Sequence, residues 1–349
     1  MFIDYNNNLD SFFNFKNYYF TLKSFLLFSI LLIIRFIINR NKNQNLLLKN
    51  SSFENKTFNN NIIELHNITN VKVCLCTLGK KENRYILEFI NHYKKYGIDK
   101  IFLYDNNNIN DERFDSILSD YLKTKFVEII NFRGKTAPQF KIYNHCYINN
   151  YKNYNWLIFY DIDEYINLKN YSNIKNFLSE IKFNKCKLIY LNCFRHTDNN
   201  LLYYDNRTLA ERFPYINWNS SMYTVKTIIK GNLEKIRFKT SHWLDRKFKG
   251  CNSVGKEVKP TNKLKMNNDI NEPYFKLYYI DHYCFKSTEE YINKINKGDG
   301  IFGYNNKIKM HKIRLYFSYN KISLEKINYI EKNSGLDLTE YKKKLMDIK

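Results

Sequence analysis

From residue 71 onward the chain alternates short apolar runs with stretches whose apolar residues recur every three or four positions. Residues 71–77 (VKVCLCT) are β-branched and compact, and predict a strand. From Glu82, the residues Tyr85, Ile86, Phe89, Ile90 and Tyr93 share one helical face, and Gly97 ends that helix. Residues 100–104 (KIFLY) predict a second strand, 111–122 a helix and 126–130 a third strand. The stretch 138–152 suits a helix with proline in its first turn. Residues 155–160 (NWLIFY) and 188–193 predict two further strands. Such alternation predicts an α/β fold with a mostly parallel sheet flanked by helices. Beyond Thr224 the pattern is mixed, with a helix at 288–297 and another near the C-terminus.

The first seventy residues obey a different rule. Residues 18–38 (YYFTLKSFLLFSILLIIRFII) hold an apolar core over 25–34, broken only by Ser29. About 20 apolar residues span a bilayer, and Lys23 and Arg35 lie where long side chains can reach the interface. No small-residue cleavage site comes after it, which favours one transmembrane helix over a signal peptide. The expected organisation is a tail (1–17), an anchor in the membrane (18–38), an Asn/Lys/Ser-rich linker (39–70), a main domain (71–300) and a helical extension (301–349). Arg40, Lys42 and Lys49 after the span, against Asp4 and Asp10 before it, favour a cytoplasmic main domain. Lys16 and the amino terminus oppose that, so a single-pass protein facing either the Golgi/ER lumen or the cytoplasm stays open.

Composition changes little of this. The chain has 349 residues, with 30 Tyr, 27 Phe, 10 Gly and 4 Pro, a skew that resembles AT-rich codon bias more than a functional demand. The net charge of +22 invites a nucleic-acid reading, but the lysines are dispersed and form no recognised nucleic-acid motif. No nucleic-acid partner is expected. Seven cysteines (74, 76, 146, 186, 193, 251 and 284) show neither framework nor zinc spacing, so buried free thiols are expected. Strand alternation points Cys74 and Cys76 the same way.

Candidate chemistry centres on WLIFYDIDEY (156–165). Its apolar run reads as a central strand buried on both faces, ending abruptly at Asp161, Asp163 and Glu164. In open α/β sheets, ligands bind beyond the carboxyl ends of strands. Alternation sets Asp161 and Asp163 on one side, where hard oxygen ligands suit Mg²⁺ or Mn²⁺ shared with substrate phosphates. A plain acidic turn is the competing reading. Gly134-Lys135-Thr136 resembles the end of a phosphate-binding loop, but Ile129 stands where its first glycine belongs.

The order of segments resembles glycosyltransferase family 92, the DUF23-like enzymes, and related family-2-like transferases of the GT-A (Rossmann-like) fold. The matching stretches are CTLGKKENRYILEFINHYKKYGIDKIFLYDNN (76–107), FRGKTAPQFKIYNHC (132–146), WLIFYDIDEY, DNNLLYYDNRTLAERF (198–213) and IDHYCFKSTEEYINKINKG (280–298). His196-Thr197 stands where the family pattern suggests a more glycine-like turn. The resemblance implies a hexosyltransferase taking a nucleotide-sugar donor, UDP-linked with galactose a candidate, to a glycan or glycoconjugate acceptor with inversion. It implies donor contacts from Thr77, Glu82, Asp105, Arg133, Gln139 and Asp161, and a metal held by Asp161, Asp163 and His282. A satisfied core histidine is the equal alternative for His282.

Such a transfer needs charge stabilisation of the departing diphosphate and a general base for the acceptor hydroxyl. Asp198, Glu211 and Glu164 are the candidate bases. Two other classes compete. A metal-dependent nucleotidyl- or phosphotransferase would need a further carboxylate, such as Asp281. A non-catalytic basic protein would bind polyanions without need of the acids.

Overall fold

The computed structural model describes residues 71–347 except 137, 218–223, 235, 239–249, 259–275 and 299–304. Strands β1 (Val73–Gly79), β2 (Lys100–Asp105), β3 (Val127–Asn131) and β4 (Trp156–Phe159) lie in the order β3-β2-β1-β4. All three pairings are parallel, so Gly79, Asp105, Asn131 and Phe159 end at one edge. Helices α1 (Asn83–Lys95), α2 (Ser119–Lys123) and α3 (Gln139–Asn150) connect them. The α2 helix is shorter than the predicted 111–122. Its upstream segment is held instead by the Arg133 guanidinium, which donates to the carbonyls of Asn108, Ile109, Asp111 and Glu112.

The second half departs from a mostly parallel sheet. Strands β5 (Glu164–Leu168), β6 (Leu188–Arg195), β7 (Val225–Lys230) and β10 (Tyr278–His282) extend the order as β4-β7-β6-β10-β5. The pairs β4–β7, β7–β6 and β10–β5 are antiparallel, while β6–β10 is parallel. Short strands β8 (Gly250–Cys251) and β9 (Glu257–Val258) add beside β6. Parallel return needs a long crossover, usually helical. Among the described residues, only the four-residue α5 (Leu209–Arg212) stands between β6 and β7; α4 (Ile174–Leu178) precedes β6.

Period-two alternation divides the core. Val73, Leu75, Trp156 and Ile158 pack towards α1 and α4, whereas Cys74, Cys76, Leu157 and Phe159 meet Ile142, Tyr143 and Cys146 of α3. The expectation of free thiols fails for four cysteines. Cys76 is bonded to Cys146 and Cys186 to Cys251, leaving Cys74, Cys193 and Cys284 free. Alternation and helical phase bring Cys76 onto the inward face of α3, a meeting across 70 residues that spacing does not reveal.

Helices α6 (Thr288–Asn296), α7 (Asn306–Tyr319), α8 (Leu324–Ser334) and α9 (Thr339–Asp347) complete the described chain. Tyr291, Ile292 and Ile295 of α6 share a core with Ile313, Tyr316, Ile327 and Ile330, so the C-terminal helices are packed onto the segment after β10. Among the described residues no helix is long and apolar enough to cross a membrane; the predicted span at 18–38 and linker at 39–70 lie outside them.

Candidate active site

The acids and the histidine nearest the sheet edge are placed by two features. β4 ends at Phe159, so Asp161 to Glu164 form the turn into β5, closed by Glu164 N–H donating to the Asp161 carbonyl at 3.0 Å. Antiparallel register then sets His282 of β10 opposite Glu164, and Tyr283 N–H donates to the Asp163 carbonyl at 2.9 Å. Ile162 points into the core. A side chain at Gly79 would meet Phe114 at 2.6 Å and Ile162 at 2.8 Å, so β1 passes this turn only as glycine.

Asp161 is the more heavily hydrogen-bonded of the two aspartates. Its Oδ1 accepts from Gln139 Nε2 at 3.1 Å and Tyr143 Oη at 2.9 Å, and its Oδ2 from Lys226 Nζ at 2.7 Å. The same buried ammonium lies 3.0 Å from Glu164 Oε2. Asp163 Oδ2 accepts from Lys294 Nζ at 2.5 Å, while its Oδ1 lies 3.7 Å from His282 Nε2. Glu164 Oε1 is buried without a hydrogen-bond partner and lies 3.8 Å from the same histidine nitrogen.

These environments split the protonation states. Burial opposes charge on Asp161 and Asp163, but Lys226 and Lys294 respectively outweigh it and hold both carboxyls below their ordinary range. Burial, reinforced by Asp161 and Asp163, pushes Glu164 up to about 8 despite Lys226. Burial lowers His282 to about 3, leaving a neutral imidazole, the protonation state a metal ligand needs.

Whether a divalent ion fits is decided by donors that remain free. Asp161 accepts three hydrogen bonds on a side chain that is 32% exposed, while His282 Nε2 lies 3.7 Å from Asp163 Oδ1 and 3.8 Å from the orphaned Glu164 Oε1. Among the described residues no group of three or more His, Cys, Asp or Glu is placed to hold a metal ion. Asp163 and His282 would supply only part of a coordination shell, leaving the rest to waters and substrate phosphate oxygens, which Mg²⁺ and Mn²⁺ accept.

Other expected residues are placed differently. Arg133 Nη1 pairs with Asp105 Oδ2 at 2.7 Å, and Asn107 occupies Asp105 Oδ1, so these two groups secure each other and the loop after β2. Thr77 is buried in β1 with its hydroxyl unpartnered. Gln139 serves Asp161 directly. Glu82 lies at the start of α1 and pairs with Lys297. Asp198 is buried and taken up by Lys326 Nζ at 2.5 Å, by Tyr316 and by the Asn200 amide, while Glu211 caps α5 through Thr208. Both carboxylates are therefore committed to these partners. Asp281, the acid that two-metal chemistry would recruit, is bound by His196 at 2.7 Å and Asn167 at 3.0 Å.

Sequence reading missed the lysines. Lys226 lies in β7, VKTIIK, beside Val225 and ahead of Ile228 and Ile229, and a lysine in so buried a strand was the available signal. Lys286, Lys294 and Lys297 line a cavity of about 370 Å³ between the β1–α1 loop and α6, together with Lys81, Glu82 and Tyr85. Lys294 joins this cavity to Asp163.

The profile of glycosyltransferase family 92 matches residues 69–312, and the chain belongs to that family. A family 92 protein of Ricinus communis is 26% identical over 125 residues, covering 32% of this chain and 22% of the relative. One of Oryza sativa subsp. japonica is 24% identical over 120 residues, covering 32% and 20%. The chain thus spans about a fifth of the length of the curated relatives it matches. Among solved structures, S. aureus TarS 1-349 in complex with UDP-GlcNAc has a TM-score of 0.35 at 14% identity, covering 75% of this chain and 79% of that chain. The same protein with UDP scores 0.32 at 12% identity, covering 46% and 47%. Likeness this loose carries no argument about the site.

Proposed function

We propose that this chain is a metal-dependent, inverting GT-A glycosyltransferase that moves a hexosyl group from a UDP-linked sugar to a hydroxyl of a glycan or glycoconjugate. The observation that carries the reading is His282 Nε2 lying 3.7 Å from Asp163 Oδ1 and 3.8 Å from the orphaned Glu164 Oε1, beyond the carboxyl end of β4. Asp163 and His282 would hold Mn²⁺ or Mg²⁺, which when bound supplies Lewis-acid neutralisation of the departing diphosphate. Asp161 positions: anchored by Gln139, Tyr143 and Lys226, it fixes the turn that presents Asp163. Lys294 adds fixed positive charge on the leaving-group side. Of the three candidate bases, Glu164 lies beside His282, but the burial that pushes it up to about 8 keeps it largely protonated at neutral pH and argues against that role. The phosphotransferase alternative is weakened because His196 and Asn167 already claim Asp281.

The two disulfides support an oxidising compartment, and so a luminal face, for this unit. That reading sets aside the charge bias flanking residues 18–38, and the membrane anchor there remains part of the proposal.

Calorimetric titration with UDP, with and without Mn²⁺, tests the function. Binding should require the ion and disappear in Asp163→Asn while the variant keeps its fold. A folded wild-type protein that binds none of UDP, GDP, CMP or dTDP, with metal present, ends the transferase reading.

A further inference from the structure

Lys286 is placed at some conformational cost. Its φ of 56° lies in the left-handed region, which glycine or asparagine enters readily and a long side chain does not. The start of α6 holds the backbone there. Ser287 caps α6 in a reciprocal capping box with Glu290, and Glu290 is itself locked by Arg212 at 2.7 Å and Tyr85 at 2.6 Å. Non-glycine residues held in this region cluster where the surroundings over-determine them for function.

The side chain so aimed is also incompletely satisfied. Lys286 is 5% exposed and lines the 370 Å³ cavity. Its ammonium lies 3.5 Å over the Tyr85 ring and 3.8 Å from Glu82 Oε2, and donates no hydrogen bond among the described residues. A ring face and a distant carboxylate cannot satisfy three N–H donors, and a buried cation without hydrogen bonds is costly. Glu82 Oε2, the oxygen nearer this ammonium, is itself buried without a hydrogen-bond partner, while Oε1 pairs with Lys297, so the cation and the carboxylate stand close without bonding.

The occupant that resolves this imbalance has several anionic oxygens. A sugar hydroxyl would leave the charge uncompensated, whereas a diphosphate can accept from Lys286 and Lys294 at once. Lys294 reaches the cavity while bonded to Asp163, so phosphates seated there lie beside the acid of the donor site.

Resting on the transferase reading above, we propose that Lys286 is the specificity residue for a nucleoside diphosphate: with Lys294 it receives the terminal phosphate in this cavity, and so distinguishes diphosphate from monophosphate. The β1–α1 loop supplies the opposite wall through Lys81 and Glu82.

The test compares UDP and UMP affinity, with Mn²⁺ present, for the wild-type protein, Lys286→Gln and Lys286→Arg. Lys286→Gln should weaken UDP binding roughly ten- to hundredfold, as expected for loss of a charged hydrogen bond, and change UMP little. Lys286→Arg should retain most of the UDP affinity. Lys286→Arg, which keeps the charge, also shows that any loss in Lys286→Gln is not misfolding. Equal weakening of UDP and UMP, or no weakening, overturns this inference alone. A wild-type protein that binds no nucleoside diphosphate overturns it together with the function.

Discussion

Replacing Lys226 by methionine removes a charge while keeping most of the side-chain volume, so the effect is electrostatic more than steric. Breaking a buried ion pair by deleting one partner costs about 3–5 kcal/mol. Two features reduce that here. The Asp161 side chain is 32% exposed and can recruit water, and Glu164, pushed up to about 8, is largely protonated at pH 6. We therefore expect a loss of about 2–3 kcal/mol at pH 6, below the usual range for a fully ionised buried pair. The sign of the pH dependence comes from linkage. A carboxyl whose folded pKa is raised contributes stability that is full below its unfolded pKa, near ~4.3, and is lost as pH rises through the folded value. Lys226 is the cation that pulls Glu164 down, so its removal raises that value further. Between 8 and the variant's higher pKa, Glu164 ionises in the wild-type protein and stays protonated in the variant. The deficit of the variant should then grow with pH by up to about 1.4 kcal/mol per unit. Urea unfolding under non-reducing conditions at pH 6 and pH 9 measures both quantities. A deficit that is absent, or that shrinks towards pH 9, would refute the view that Lys226 holds the two carboxylates together.

The same contacts set two further outcomes. Unfolded without reductant, the protein should present three alkylatable thiols, Cys74, Cys193 and Cys284. Reduction should expose all seven and lower stability by up to about 4 kcal/mol per crosslink; seven thiols before reduction would remove both disulfides. Asp198→Asn should destabilise by about 3–5 kcal/mol by stranding buried Lys326, while kcat per folded molecule changes less than about threefold. A fall of roughly 10²–10⁴ would instead make Asp198 the general base.

How much of this was legible depended on whether the information was local. The α/β order, the α1 stripe and the abrupt end of β4 at the acidic turn are all short-range patterns, and they were readable. Residues whose role depends on a partner distant in sequence were not. Asp105 and Arg133 look like ligand contacts one by one, yet adjacent strands β2 and β3 bring them together and each consumes the other. Asp198 sits in a segment shared with the family, but its partners Tyr316 and Lys326 lie more than a hundred residues away. The cysteine pairs are separated by 70 and 65 residues, which no spacing rule detects. Antiparallel returns of β5 and β7 have the same origin, since an alternating run does not state which neighbour it will choose.

That distinction explains why the two aspartates of the DIDE segment meet different partners. Position in the motif gives both carboxylates the same prospect of holding an ion; the neighbours brought by β7, α3 and α6 do not. Lys226, Gln139 and Tyr143 engage both oxygens of Asp161, whereas Lys294 takes only one oxygen of Asp163 and leaves the other beside neutral His282. The resulting site is close to charge balance before substrate arrives: two ionised aspartates face two lysines, with Glu164 largely protonated at neutral pH. A divalent ion added to such a site creates excess positive charge, and the Lys286 ammonium adds to it. A nucleoside diphosphate is the ligand whose charge closes that excess. Ion and donor should therefore bind cooperatively, each weakly when alone, because each supplies the charge that the other needs in a buried, low-dielectric setting.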